Sequence, residues 1–183
     1  MDLCMIFPGI GYSCDKPLLY WAAKLAANSG YEVRRYSYAD LNKDIRDNEE
    51  KMQAAVAKAI VQTEEKLDKE QLKSYDRILL IGKSIGTVVS LAVRESFELN
   101  ARAVLMTPLE KTFSYNAADC IAFHGTADPW ANTERIEELC RNANVPLFEY
   151  RDANHSLETG DVLRDMENIR DVIARTADHI MVI

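Results

Sequence analysis

A short apolar segment that runs directly into a Gly-x-Ser-x-Gly pattern constrains the fold of this chain more than any other feature. Residues 78–86 read Ile-Leu-Leu-Ile-Gly-Lys-Ser-Ile-Gly. This combination is typical of a strand that turns sharply into a helix, with the central serine in a strained backbone and its hydroxyl exposed above a sheet. A Cβ atom at Gly82 or Gly86 would collide with the neighbouring strand or helix. We therefore predict a strand–turn–helix unit with Ser84 as a candidate nucleophile.

Length and composition favour a single globular domain over residues 1–183. Hydrophobic residues make up 48% of the chain, whereas there are only 7 glycines and 5 prolines, which argues against disorder. The formal net charge is −7 and the chain has no Lys/Arg cluster. Since phosphate binding requires a basic face, we expect no nucleic-acid partner.

The amino-terminal residues and the cysteines favour a cytoplasmic protein. Residues 1–8 lack the basic and long apolar regions of a signal peptide, and no apolar run is long enough to cross a membrane. The four cysteines show neither CxxC nor Cys/His metal spacing, so we expect no metal site and predict buried thiols at Cys4 and Cys120. Gly9-Ile10-Gly11 lacks the third glycine of a dinucleotide fingerprint, so no cofactor is expected.

Six apolar runs alternate with five amphipathic stretches. The predicted strands are Leu3–Phe7, Tyr31–Tyr36, Arg77–Ile81, Ala101–Met106, Cys120–His124 and Leu147–Tyr150. The predicted helices are Pro17–Asn28, Glu49–Lys73, Ile85–Leu99, Asn132–Asn142 and Asp161–Thr176. The alternation predicts an α/β protein, a three-layer α/β/α sandwich with a mostly parallel six-stranded sheet. Ligands of such sheets bind beyond the carboxyl ends of the strands.

Chemically distinctive residues follow four of these predicted strands. A glycine-rich turn at residues 7–12 follows the first strand and leaves backbone N–H groups free to face an anion. Ser84 follows the third strand, Asp128 lies on the loop after the fifth, and His155 follows the sixth. A serine, a carboxylate and an imidazole are therefore predicted at one edge of the sheet, in the chain order Ser, Asp, His.

These motifs resemble the α/β-hydrolase superfamily over essentially the whole chain. The resemblance implies that family's fold without its first two strands and without a lid. It implies roles as nucleophile for Ser84, acid for Asp128, base for His155 and oxyanion-hole N–H donors for Ile10 and Ile85. Pro8 replaces the histidine that usually opens the family's oxyanion loop.

The chemistry explains why these residue types are needed together. A serine hydroxyl is a weak nucleophile near neutral pH and requires a base within hydrogen-bond reach. Of the three histidines, His124 ends a predicted strand and is expected to be structural, and His179 follows the last predicted helix and is expected at the surface. His155 is left as the base, and Asp128 would hold its tautomer.

Several residues have competing interpretations. Glu110, after the fourth strand, is an alternative acid, because some hydrolases carry the acid there. Lys83 is expected to be solvated or ion-paired, since adjacent side chains diverge on a sharp turn. Aromatic residues near the strand ends are either walls of an acyl pocket or ordinary packing: Tyr12, Phe113, Tyr115 and Trp130.

The connection between the fourth and fifth strands, residues 107–119, is too short for a helical lid. We therefore expect an open, shallow cleft at the site, which favours small or exposed acyl groups as substrates. The leading interpretation is a carboxylesterase-like serine hydrolase that forms an acyl-enzyme with a small-molecule ester or thioester. An amidase or peptidase with the same triad and a non-catalytic binding protein on this scaffold are the alternatives. The apolar residues 180–183 are expected to pack on the domain or on another subunit, and the oligomeric state is left open.

Overall fold

Strands and helices alternate through the part of the chain that the computed structural model describes, residues 1–42, 45 and 48–181. The strands are β1 (Asp2–Phe7), β2 (Tyr31–Arg35), β3 (Arg77–Lys83), β4 (Ala101–Met106), β5 (Cys120–Gly125) and β6 (Leu147–Tyr150). The helices are α1 (Pro17–Asn28), α2 (Glu49–Glu64), α3 (Lys69–Lys73), α4 (Ile85–Ser96), α5 (Thr133–Asn142) and α6 (Val162–Met181). A 3₁₀ turn spans Glu110–Ser114.

The six strands form one sheet in the order β2-β1-β3-β4-β5-β6, and every pairing is parallel. The predicted α/β class is confirmed, and the sheet is fully rather than mostly parallel. Parallel neighbours require crossover connections, which the intervening helices supply. The strand order reverses at β1, which pairs with β2 on one side and β3 on the other. The crevice where ligands of such sheets bind therefore opens at the carboxyl ends of β1 and β3.

Two apolar clusters cover the two faces of the sheet. Alternation along β3 places Leu80 in the cluster that includes Val56 of α2 and Val88 of α4. Leu79 lies in the opposite cluster with Leu18 of α1 and residues of α6. Helix α4 is buried from Ile85 to Val93, as its almost uniformly apolar sequence predicts. The sandwich thus has three layers, and it holds the start of α4 firmly against the sheet.

Two helices differ from the prediction. The stretch predicted as one helix over 49–73 is divided into α2 and α3, because the side chain of Asp68 accepts a hydrogen bond from Gln71 N at 2.9 Å and caps a new helix. The last helix continues beyond Thr176 to Met181. His179 therefore lies inside α6 and is half-buried, so its expected place at the surface after the helix was wrong.

The end of the chain and the cysteines are packed into the domain. Ile180 is buried in the cluster beneath α1 and α6, whereas residues 182–183 of the predicted apolar tail lie outside the described residues. All four cysteines are free and buried, as predicted for Cys4 and Cys120. Burial raises the pKa of Cys140 to about 12 and that of Cys120 to about 11. Among the described residues, no helix is both long and apolar enough to cross a bilayer.

Candidate active site

The turn from β3 into α4 holds Ser84 in a strained conformation. Its φ of 57° and ψ of −123° lie in a region that residues other than glycine rarely adopt. The Ser84 amide donates a hydrogen bond of 3.0 Å to Met106 O at the end of β4. A Cβ atom on Gly82 would meet the Gly86 carbonyl, and one on Gly86 would meet the Phe7 carbonyl. Both glycines of the pattern are thus required for close approach, as the sequence predicts.

The structure brings Ser84, His155 and Asp128 into one hydrogen-bonded chain. Ser84 Oγ lies 2.8 Å from His155 Nε2, and His155 Nδ1 lies 2.6 Å from Asp128 Oδ2. The other carboxylate oxygen, Oδ1, accepts a hydrogen bond of 2.8 Å from Trp130 N. The Asp128 side chain is fully buried, whereas the His155 side chain is 15% exposed. The chain of contacts therefore runs from the interior toward solvent at the serine.

Backbone contacts between two loops fix the imidazole relative to the carboxylate. Ala127 N donates to Ala153 O at 2.9 Å, and Thr126 N donates to Tyr150 O at 3.0 Å. A side chain at Gly125 would collide with the Ala153 carbonyl. The loop after β5 and the loop after β6 are thus in direct contact, and each supplies one member of the hydrogen-bonded chain.

Two effects of opposite sign act on the pKa of His155. Burial disfavours the imidazolium and lowers the pKa, and the positive charge of Lys83 lowers it further. The hydrogen bond to Asp128 raises it, but the net direction is downward. At neutral pH the imidazole is therefore largely neutral, and its Nε2 is able to accept the proton of the Ser84 hydroxyl.

The glycine-rich loop after β1 lies against the serine. Gly9 N donates to Tyr12 O at 3.1 Å, and the returning Tyr12 N donates to Gly9 O at 3.4 Å, which closes a tight loop. A Cβ built on Gly9 would lie 3.1 Å from Ser84 Cβ. Within the described residues, the amide of Ile10 takes part in no backbone hydrogen bond. Ile85 N is likewise unused, because it opens α4 and has no partner one turn earlier.

Glu110, the alternative acid, takes no part in the hydrogen-bonded chain of Ser84, His155 and Asp128. It begins the 3₁₀ turn after β4, and its half-exposed carboxylate lies 3.8 Å from the guanidinium of Arg135. The carboxylate that contacts His155 is that of Asp128. The rest of the connection between β4 and β5 contains no α-helix, in agreement with the predicted lack of a lid.

The four aromatic pocket candidates occupy different environments, and Tyr115 is half-buried against the core at the end of the 3₁₀ turn. Tyr12 is buried, and its hydroxyl accepts a hydrogen bond of 3.1 Å from Leu18 N at the start of α1. Phe113 is half-buried on the 3₁₀ turn and packs on the core, and the Trp130 ring centroid lies 5.8 Å from that of His155. A cleft of about 740 Å³ opens beside the loop after β1, between residues 8–16 and residues 35–41. Tyr12 thus supports α1 as well as lining this cleft.

Lys83 differs from the prediction of a solvated or ion-paired side chain. It is only 2% exposed, and its ammonium lies 4.9 Å from the centroid of the Tyr12 ring. No carboxylate of the described residues lies within ion-pair distance of it. Burial lowers its pKa to about 7, despite the opposing charges of Asp128 and Glu158. The reason is its position at the end of β3, beneath Gly9, where the loop after β1 covers it.

A second imidazole faces the same carboxylate from within the sheet. His124 is fully buried in β5, with Nε2 2.9 Å from Thr133 Oγ1 and Nδ1 3.9 Å from Asp128 Oδ2. Its Nδ1 has no hydrogen-bond partner in the described part of the chain. Burial lowers its pKa. The sequence suggests only a structural place for His124, and its approach to Asp128 depends on the turn after β5, in which Asp128 N donates to Gly125 O.

The fold and the site together define a class of α/β enzymes. In this class the third strand of a parallel sheet turns through a strained serine into a buried helix, and the loops after the last two strands supply a carboxylate and an imidazole. The sequence model of the alpha/beta hydrolase domain matches residues 3–181, and the chain belongs to that family. A comparison with curated proteins gives no match. The match of the family model to residues 3–181 confirms the predicted family resemblance.

Solved structures of low sequence identity share the fold. A protein from Xanthomonas campestris pv. campestris ascribed to the alpha/beta hydrolase superfamily is 17% identical over 98% of each chain, with a TM-score of 0.73. A serine hydrolase without a lid from Xanthomonas campestris is 14% identical over 98% of this chain and 80% of that one, with a TM-score of 0.62. Est1E from Butyrivibrio proteoclasticus with bound ferulic acid is 13% identical over 100% and 90%, also with a TM-score of 0.62.

Proposed function

We propose that this protein is a serine hydrolase that cleaves a small or exposed acyl ester or thioester through an acyl-enzyme on Ser84. The observation that carries the proposal is the unbroken hydrogen-bond chain from Ser84 Oγ through His155 to the buried Asp128. A buried carboxylate is costly unless it is hydrogen-bonded, and here it is bonded to the imidazole that contacts the serine hydroxyl, which is the arrangement of a catalytic triad.

The first chemical step would be attack of Ser84 Oγ on the acyl carbon. His155 Nε2 removes the hydroxyl proton as the new C–O bond forms, and Asp128 stabilises the imidazolium through Nδ1–H. Collapse of the tetrahedral intermediate breaks the bond to the leaving group, which receives the proton from His155. Water then attacks the acyl-enzyme by the same route and regenerates the serine.

The oxyanion of each intermediate would be bound by the N–H groups of Ile10 and Ile85. Both amides are free of backbone hydrogen bonds in the described residues, and Gly9 holds the first loop against Ser84. The amino-terminal end of α4 adds a partial positive charge. Loss of one such donor typically raises the barrier by about 3–4 kcal/mol.

The open site favours a small or externally presented acyl group. Only residues 107–119 connect β4 to β5, and this connection contains no α-helix to cover the serine. The cleft of about 740 Å³ beside the loop after β1 has the volume of a small-molecule site; its lining includes the loop residues 8–12 that lie against Ser84, but none of the side chains of Ser84, His155 and Asp128. Trp130 beside His155 offers an apolar contact at the mouth of the site. Est1E, which shares the fold, binds ferulic acid, a small molecule of the size proposed for the substrate here.

Labelling with a fluorophosphonate probe tests the proposal even though the natural substrate is unidentified. We expect stoichiometric labelling of the wild type and none of Ser84→Ala, with labelling of His155→Ala and Asp128→Ala slowed by about 10³-fold or more. Glu110→Gln is the matched control at the alternative acid and should label at the wild-type rate.

Enzyme that takes up the label would then be assayed, in its unlabelled form, with p-nitrophenyl esters of increasing chain length, with an acyl thioester and with a p-nitroanilide. Faster cleavage of the short esters would support the proposal, and preference for the anilide would favour an amidase. Folded wild-type protein that takes up no label would contradict the enzymatic proposal and leave a binding protein on this scaffold.

A further inference from the structure

We propose that His124 is a positioning residue, whose Nδ1–H faces Asp128 so that two imidazoles, from β5 and from the loop after β6, hold one carboxylate. The inference rests on the proposed function, because it concerns the residue that orients the base. It assigns a task to a buried imidazole beside the site that the reaction itself does not use.

The geometry places the two groups in direct electrostatic contact. His124 Nδ1 lies 3.9 Å from Asp128 Oδ2, and both side chains are fully buried. A separation of 3.9 Å exceeds that of a formed hydrogen bond, but a small shift of the carboxylate toward the ring would close it. Hydrogen bonds at catalytic sites are often long before substrate binds and shorten in the reacting complex. In a buried site the interaction is also weakly screened.

The Thr133 hydroxyl is able to donate to Nε2 and so is compatible with the tautomer that this role requires. Thr133 opens α5, and its Oγ1 lies 2.9 Å from His124 Nε2. When the hydroxyl donates to Nε2, the single proton of the neutral ring is on Nδ1 and faces Asp128. The opposite tautomer would direct the Nδ1 lone pair at a carboxylate oxygen, and that lone pair would have no hydrogen-bond donor among the described residues. The negative charge of Asp128 therefore favours Nδ1–H.

The remaining contacts of the carboxylate show what His124 adds. Oδ1 receives Trp130 N–H, and Oδ2 receives Nδ1–H of His155. The ammonium of Lys83 also acts on this cluster from β3, and Glu137 of α5 acts on His124. Of these groups, only the backbone of Trp130 and the two imidazoles have a polar atom within 4 Å of Asp128 in the described residues. His124 thus adds a second imidazole N–H dipole near Oδ2, which in the described residues is hydrogen-bonded to His155.

Two substitutions at His124 separate the positioning role from packing. His124→Asn places an amide N–H close to the position of Nδ1 and abolishes the contact with Thr133. His124→Gln places its amide close to Nε2, keeps the contact with Thr133 and removes the donor that faces Asp128. Both variants lose the ring, so both disturb the packing of β5 to a similar extent.

We expect His124→Asn to keep kcat within about threefold of the wild type and His124→Gln to lower it about tenfold, with KM unchanged in both. A second pair tests the partner of Nε2: Thr133→Val leaves Nε2 without a hydrogen-bond donor and should lower kcat less than His124→Gln, because Asp128 still favours Nδ1–H, whereas Thr133→Ser should resemble the wild type. The substrate is the p-nitrophenyl ester that the wild type cleaves fastest.

A measurement on resting enzyme does not depend on turnover. The titration of His155, followed by NMR in the absence of substrate, should have a higher midpoint in His124→Gln than in His124→Asn. The reason is that Asp128, no longer facing the N–H dipole, stabilises the imidazolium of His155 more strongly. Circular dichroism and thermal unfolding establish that each variant is folded.

Equal kcat and equal His155 midpoints in the Asn and Gln variants would overturn the positioning role and leave His124 as packing. Failure of the proposed function is visible separately, because folded wild-type protein would then take up no fluorophosphonate label. The titration of His155 is readable in either case, so the two failures are distinguishable.

Discussion

Replacement of Lys83 by Met is expected to stabilise the protein most at and below neutral pH. It should also remove the rise of the free energy of unfolding with pH that the wild type shows above pH 7. The Lys83 side chain is 2% exposed and faces the Tyr12 ring. Methionine has a similar length and flexibility without a charge, so it fills the same space under Gly9. The exchange therefore removes a buried ammonium and leaves the packing of its stem largely intact.

The size of the effect comes from proton linkage. The Lys83 pKa is about 7 in the folded protein against an ordinary value of 10.5. Between these values the unfolded chain binds a proton that the folded protein does not, so wild-type stability rises with pH by about 1.4 kcal/mol per pH unit. The cost of burying the charge is fully present below pH 7 and is gone above about 10.5. The whole rise amounts to about 5 kcal/mol and is absent in Lys83→Met.

Urea unfolding followed by circular dichroism at about pH 6.5, 7.5, 8.5 and 9.5 measures this difference. The free energy of unfolding of Lys83→Met should exceed that of the wild type at the lowest pH, and the excess should shrink by more than about 1 kcal/mol per unit above pH 7.5. Lys24→Met, at an exposed lysine of α1, is the control for loss of a positive charge. An excess that stays constant across the whole pH range would contradict the linkage, because it would mean that the ammonium is solvated or paired.

Four further results are expected. Ser84→Gly should stabilise the protein by about 1 kcal/mol in urea unfolding because it relieves the positive φ, whereas Ser84→Ala keeps the strain and should not. Gly86→Ala should abolish fluorophosphonate labelling and lower the Tm, because its Cβ meets the Phe7 carbonyl; wild-type labelling would contradict this. Thr107→Val should raise stability by about 1 kcal/mol, since the buried Thr107 hydroxyl has no partner in the described residues. The rate of labelling should rise with pH to a midpoint below 6.5 and then level off, because the pKa of His155 is lowered from that value; a midpoint above about 7 would contradict the net effect of burial.

The sequence was sufficient to predict the sheet and the residues at its carboxyl edge. Each of the six predicted strands matches an observed strand to within one or two residues, because buried parallel strands are short, continuous apolar runs. The positions of Ser84, Asp128 and His155 after their strands follow from the same alternation. Their mutual distances do not, because these depend on how the loops after β5 and β6 meet at Gly125.

The errors have different physical causes, and for Lys83 the cause is that a local pattern does not report what covers a residue. Alternation along β3 puts Lys83 on the face of α1 and α6, but only the folded loop after β1 shows that the ammonium is enclosed. For α2 and α3, the periodicity of residues 49–73 continues through the break between them, where capping by Asp68 decides the outcome. For α6, the buried residues Val172, Thr176 and Ile180 recur every four residues, so the helical period continues past Thr176 and the prediction ended the helix too early.

Strain at the candidate site is held in place by the packing around it. Ser84, Thr107 and Leu157 all have positive φ values, and each follows a strand at the carboxyl edge or lies two residues from His155. Thr107 and Leu157 are fully buried, so the surrounding core over-determines their backbones. A β-branched residue at φ 46° is especially unfavourable, yet Thr107 lies directly after Met106, whose carbonyl binds Ser84 N. Substitutions that relax this edge should therefore stabilise the fold and slow the labelling of Ser84 together, since the same backbone strain aims the serine at His155.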